Sequence, residues 1–253
     1  MIKQLFTIVF IFSLLNGFSQ EENHTDAQGK KQGVWKKYHP NEQLRYVGQF
    51  KDDQPVGTFK YYNDAGKLQT EIVHSGSVSY AKFYYPKGQL KATGKYENQQ
   101  KDSIWTYYDV QGNKKSTEFY LSGRKEGVWK VYYTNGKVAE EKGYTADVED
   151  GEWKQYFENG IIKMKSTYVN GALEGKTYYY TAEGKKRILG NFYHGARNGE
   201  WTFYNPDGTV KKVEVYKNGK RIDENKDDDV INPDSIQYEK KDYLEFEDLH
   251  PPR

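Results

Sequence analysis

A six-residue pattern that returns every 24 residues constrains this chain more than anything else in its sequence. Read as G-x-W-x-x-Y from Gly33-Val34-Trp35-Lys36-Lys37-Tyr38, it restarts at Gly57, Ser79, Ser103, Gly127, Gly151, Gly175 and Gly199. Every interval is 24 residues except that from Gly57 to Ser79, which is 22. A fixed period of this length marks one supersecondary unit stacked many times over, each copy covering the apolar surface of its neighbour.

The slots inside the period say what the unit is. The Trp slot holds Trp35, Phe59, Ala81, Trp105, Trp129, Trp153, Thr177 and Trp201, which places all five tryptophans of the chain in one register. Three positions on, Tyr38, Tyr62, Tyr84, Tyr108, Tyr132, Tyr156, Tyr180 and Tyr204 fill every copy. Glycine follows four residues later in all copies but the first, which has Glu42. A later aromatic slot reads Phe50, Tyr96, Tyr120, Tyr144, Tyr168, Phe192 and Tyr216, with Ile72 assigned to it in the short repeat. Asn135-Gly136, Asn159-Gly160 and Asp207-Gly208 are tight-turn dipeptides, and Asn170-Gly171, His194-Gly195 and Asn218-Gly219 mark a second turn per repeat. The runs between turns are rich in Tyr, Trp, Phe, Val and Thr, which suit strands. Each repeat is therefore expected to be a β-hairpin. Side chains alternate faces along a strand, so the two-residue deletion leaves the alternation intact.

Composition agrees with a thin structure. Mean hydropathy is −1.02 and only 36% of residues are apolar, yet 16% are aromatic and 24 are tyrosine. Disordered chains are poor in aromatics. Tyrosine instead packs through its ring while its hydroxyl stays wet. The expected fold is all-β: an elongated single-layer antiparallel sheet of about eight tandem hairpins spanning residues 33–223. Sixteen strands at about 4.8 Å would extend roughly 75 Å. Alternation puts the Trp slot on one face and the Tyr slot on the other, beside Lys36, Lys60, Lys82, Lys130 and Lys154. Because the Tyr slot has no exceptions, it is expected to be the structural ladder. The Trp slot lapses at Phe59, Ala81 and Thr177, and Trp35, Trp105, Trp129, Trp153 and Trp201 are expected to form the candidate binding face.

This pattern of Gly, Trp, Tyr-Tyr and turn glycines resembles the bacterial variant of the MORN repeat over about residues 26–223. The third and seventh copies depart from it most, at Ser79, Ala81 and Thr177. The resemblance implies an elongated antiparallel sheet acting as an interaction scaffold. Some relatives are labelled antitoxin-like, and others are associated with membrane lipids or protein partners.

The ends read differently. Lys3, the apolar run Leu5–Leu15 and the small residues Gly17 and Ser19 describe a signal peptide, residues 1–19, cut before Gln20. Its apolar run is too short to span a bilayer, which takes roughly 20 residues. Residues 20–32 are expected to be a lead-in linker and 224–253 an acidic tail or cap, with ten acids against four bases. The protein is thus expected to be extracytoplasmic: periplasmic, secreted or surface-associated. It has no cysteine, so neither disulfides nor thiolate metal sites are available. The five histidines show no ligand spacing, there is no phosphate-cradling loop or nucleophile motif, and Asp227-Asp228-Asp229 lacks the spacing of a calcium loop. The sequence therefore reads as a non-enzyme without cofactor or metal. Its expected partner is a protein or envelope component, without nucleic acid and without a membrane span. The alternatives are a glycan or cell-wall module stacking sugars on periodic Trp and Tyr, and an antitoxin-like immunity protein.

Overall fold

The computed structural model describes residues 22–222. The signal peptide and the acidic tail read from the sequence lie outside these residues. Sixteen long strands follow one another as eight hairpins. In chain order they are β1 Lys31–Tyr38, β2 Leu44–Lys51, β3 Gln54–Tyr62, β4 Leu68–Ser75, β5 Val78–Tyr84, β6 Leu90–Glu97, β7 Gln100–Tyr108, β8 Lys114–Leu121, β9 Gly127–Tyr132, β10 Val138–Thr145, β11 Val148–Tyr156, β12 Ile162–Val169, β13 Gly175–Tyr180, β14 Lys186–Tyr193, β15 Gly199–Tyr204 and β16 Val210–Lys217. Each pairs antiparallel with its predecessor and successor, so the sheet grows in chain order, as the hairpin reading requires.

Two bulges per repeat set its shape. At the hairpin tip the residue after the Tyr-slot partner is extra: Tyr38 pairs Leu44 and Lys37 pairs Tyr46, leaving Arg45 unopposed. The same shift occurs in all eight repeats. The second bulge lies between repeats. From β2 to β3, Val47 pairs Lys60 but Gln49 pairs Val56, so β3 carries two extra residues around Gly57. That bulge needs a left-handed backbone, with φ of 65° at Gly57, 63° at Gly127 and 60° at Ser103. The 22-residue repeat has lost these two residues. Its pairing runs from Thr70↔Phe83 to Ser75↔Val78 without a shift, and Ser79 is not among the positive-φ residues. The missing glycine and the missing two residues are one event.

Two sequence expectations are corrected here. Residues 22–32 are not a linker: His24–Thr25 pairs with Gln32 and Lys31, and the Asn23 amide donates to the Val34 carbonyl, closing the first edge with a short extra strand. The later aromatic slot of the second repeat is His74, not Ile72. His74 lies opposite Gly57 as Phe50 lies opposite Gly33, whereas Ile72 faces Phe59.

Candidate interaction surface

The two faces of the sheet differ, and the difference reverses the roles expected for the two ladders. Every buried apolar side chain among the described residues, from Phe59 to Tyr216, lies on the Trp-slot face. Trp105 and Trp201 are 0% exposed, Phe59 and Ala81 are buried, and so is Thr177; Trp35, Trp129 and Trp153 are half-buried. The lapses in the slot reflect shape complementarity. In the preceding strand a glycine lies under the ring: a Cβ on Gly94 would sit 2.1 Å from Trp105, and one on Gly190 2.4 Å from Trp201. Ala81 and Thr177 sit directly opposite Gly94 and Gly190, the glycines those rings cover. In these two repeats a large ring on one strand is accompanied by a small residue beside it; Phe59 covers Gly48 in the same way although Trp35 lies opposite that glycine.

Each indole N–H is satisfied. Trp105, Trp129 and Trp201 donate to the carbonyls of Lys95, Phe119 and Asn191, ten residues back, at 3.0, 3.0 and 3.3 Å. Trp35 donates to Gln32 and Trp153 to the Glu140 carboxylate. The rings meet the later aromatic slot edge-on or tilted, as in Trp105 with Tyr96 at 4.9 Å and Trp129 with Tyr144 at 4.9 Å. Above every tryptophan lies a cation. Lys31, Lys101, Lys125 and Arg197, each four residues before its tryptophan, stand 4.6–4.9 Å from the ring centroid over Trp35, Trp105, Trp129 and Trp201. In the sixth repeat this position is Glu149. Lys142 covers Trp153 instead and pairs with Glu149 at 2.7 Å. Cation–π attraction over a desolvated ring holds such a lid in place. With a cation above each ring, and glycine backbone beneath Trp105 and Trp201, the five tryptophans do not offer the open face expected of them.

Beside Trp105 this face buries a polar cluster. Glu118 accepts from the Tyr120 hydroxyl at 2.9 Å and from Ser116 at 3.2 Å, and the Lys101 ammonium reaches Tyr107 at 3.0 Å. Burial pushes the Glu118 carboxyl above the usual carboxylate range and the Lys101 ammonium below its own.

The outer face carries the Tyr slot. Tyr38 is exposed, and Tyr62, Tyr84, Tyr108, Tyr132, Tyr156, Tyr180 and Tyr204 are half-buried. They pair across the sheet with Leu44, Leu68, Leu90, Lys114, Val138, Ile162, Lys186 and Val210, so rings alternate with mostly aliphatic spacers. Tyr132 and Tyr156 bond to Thr117 and Glu141. Five lysines of this face lie beside carboxylates: Lys60 and Lys82 share Glu71, Lys130 meets Glu141, and Lys154 and Lys165 flank Glu152, whose carboxyl their hydrogen bonds hold at about 2. One row remains apolar and open. Val73, Tyr80, Ile104 and Val128, on β4, β5, β7 and β9, are 40%, 58%, 61% and 54% exposed, with half-buried Phe119 opposite Ile104. In the later repeats the same positions are the exposed Glu152, Lys176 and Glu200. Neither this row nor the cation lids was noticed in the sequence, although lysine or arginine four residues before four of five tryptophans was there to read.

Residues 31–52, 55–74, 80–98, 125–145, 149–170 and 197–218 match the MORN repeat variant model. The chain belongs to the MORN repeat variant family. Its fourth and seventh hairpins fall outside the matched stretches, yet β7–β8 and β13–β14 have the pairing of their neighbours. The third, for all its departures, is matched. No curated protein matches this MORN protein. Among solved structures it aligns with a crystal structure of TarM at 13% identity and a TM-score of 0.24, covering 56% of this chain and 20% of that one. A mutant of S. aureus TarM in complex with Fondaparinux, alpha-GlcNAc-glycerol and UDP aligns at 12% identity and the same TM-score, covering 56% and 21%. The chain spans about a fifth of the length of those proteins.

Proposed function

We propose that this MORN protein is an exported, non-catalytic scaffold that holds a protein partner against the outer face of its first five repeats. The observation that carries the reading is the row of Val73, Tyr80, Ile104 and Val128: four large apolar side chains, each at least 40% exposed, on one face of one sheet. Exposed apolar side chains are ordinary singly, but several on one face with charges among and around them, here the ion-paired Lys95 opposite Tyr80, are the usual mark of a contact surface. The flanking ion pairs hold the lysine stems in a fixed comb, which gives a partner register along the row. Stacking of sugars on the tryptophans, the alternative read from the sequence, loses its support because cations cover those rings. Export rests on Lys3, the apolar run from Leu5 to Leu15 and the small residues before Gln20.

Site-specific photocrosslinking tests the contact. A photoreactive residue at Ile104 or Val128 is expected to give one adduct of the same mass in the producing cell, and at Glu200 none. Absence of adducts at both apolar positions in correctly exported protein overturns the reading. Export has its own test. The intact mass of the mature protein is expected to begin at Gln20, and retention of Met1 to Ser19 rules out a cleaved signal.

A further inference from the structure

The two long rims of the ribbon carry opposite charge. The seven-residue hairpin tips, from 39–45 through 205–211, hold twelve lysines and arginines against six acids, a net of +6. The turns between repeats, from 51–57 through 193–199, hold five bases against nine acids, a net of −4. The acids of the second rim have structural work: Asp102, Glu126, Asp150 and Glu174 each accept from a backbone amide twenty residues on, stapling one turn to the next. Two bases of the first rim have comparable work, Lys137 and Lys185 donating to the Asn159 and Pro206 carbonyls of the next tip at 2.9 Å each, but among the described residues no such bond holds Arg45, Lys91, Arg187 or Lys211. The most regular bases of this rim occupy the tip bulge, where Arg45, Lys91, Lys115, Lys163, Arg187 and Lys211 fill six of eight repeats. Among the described residues no carboxylate lies within ion-pair distance of Arg45, Lys91, Arg187 or Lys211, in contrast to the five lysines of the sheet face.

Beside this row runs the Tyr slot, with ring edges at least partly open in every repeat. The hydroxyls of Tyr62, Tyr84, Tyr108, Tyr180 and Tyr204, all half-buried, find no hydrogen-bond partner among the described residues. Aromatic rings join the cations directly: Lys91 lies over Tyr85 and Lys163 over Phe157, at 6.0 Å each. One repeat advances by two strands, about 10 Å, so the rim offers a hydroxyl-bearing ring at every such step and a cation at most of them. A flat anionic membrane would meet the acids of the tips, Asp64, Glu158, Glu183 and Asp207, together with the cations. A narrow chain lying along the bulge row avoids them. A polymer of phosphates alone would use the cations and leave the rings idle.

We propose that the hairpin-tip rim binds a linear acidic polysaccharide with a carboxylate on alternate sugars, its charges on the bulge cations and its hydroxyls on the tyrosine edges. This proposal stands apart from the protein contact on the apolar row, and photocrosslinking at Ile104 bears on the one but not the other.

The test is equilibrium binding of the full mature chain to hyaluronate, with neutral dextran and phosphatidylglycerol vesicles as the other probes. A rim variant combining R45Q, K91Q, R187Q and K211Q is compared with a control of equal charge change on the opposite side: K51Q, R124Q, K217Q and K220Q. The rim variant is expected to bind hyaluronate about tenfold more weakly, from four surface ion pairs with the polymer each worth about twofold, while melting like the wild type. The control is expected to change little, dextran not to bind, and added salt to weaken the wild type. Equal loss in both variants shows net charge alone and overturns the proposal. So does no hyaluronate binding, or rim-dependent binding to the vesicles in preference to the polymer.

Discussion

At the scale of single residues, full burial falls in the Trp slot, at Trp105 and Trp201, and in no member of the Tyr slot, the reverse of what counting exceptions suggests. The exceptions at Ala81 and Thr177 are steric accommodations, and both are as buried as the tryptophans they replace. Truncating Trp105, which has no exposure and a satisfied N–H, is expected to cost about 3–5 kcal/mol. Truncating half-buried Tyr108 is expected to cost about 1 kcal/mol, near the centre of ordinary substitutions. Denaturant melts of W105A and Y108A give the comparison, and a costlier Y108A would restore the tyrosines as the main ladder. The buried carboxyl makes a second prediction. Burial raises the Glu118 pKa in the folded chain, so ionising it is harder there than in the unfolded chain. The associated stability is complete below the ordinary carboxylate value and disappears as pH rises through the raised one. E118Q removes that loss. Its melting temperature is expected to match the wild type near pH 4 and exceed it near pH 7; an unchanged difference at both pH values contradicts the buried, proton-holding carboxyl.

At the scale of the element, nearly everything about the hairpin was legible. Turn dipeptides and the 24-residue period fix strand number and order, and period-two alternation fixes which slots share a face. Burial was not legible, because alternation treats the two faces as equals. What separates them is the bulge between repeats, with its glycine opposite the ring, together with the cation that closes over the indole. The first is a coupling between neighbouring strands that no single slot displays; the second is a lysine or arginine four residues before the tryptophan, outside the slots that define the period. The bulge also gives the serine-for-glycine replacements different meanings. Ser103 holds φ of 60° inside a bulge, whereas Ser79 stands in a regular ladder where the bulge has been deleted. A residue with a Cβ pays about 1–2 kcal/mol in the left-handed region, while glycine in an ordinary strand costs about 0.5–1 kcal/mol. S103G is therefore expected to stabilise the protein by about 1 kcal/mol and S79G to destabilise it by somewhat less. Equal effects of one sign in thermal melts would show that the two sites share a backbone conformation after all.

At the scale of the molecule, sequential pairing makes the protein a ribbon in which each hairpin touches only its neighbours. The ribbon has an inner face closed by its own lids, an outer face with one open apolar row, and rims of opposite charge. Among the described residues no second layer covers either face, so their long dimension is set by strand count: sixteen strands at about 4.8 Å give roughly 75 Å before twist. Twist coils such a ribbon and shortens it somewhat, but cannot make it a globule, since the first and last hairpins share no pairing. A compact domain of this length has a radius of gyration of about 17 Å. Small-angle scattering of the mature protein is expected to give a value well above that, with a distance distribution skewed toward long vectors. The same profile is expected at several protein concentrations, because end-to-end association of ribbons would lengthen it as concentration rises. A concentration-independent value near the compact one would mean that the hairpins fold back on one another. The outer apolar row would then be an internal contact rather than a surface for a partner.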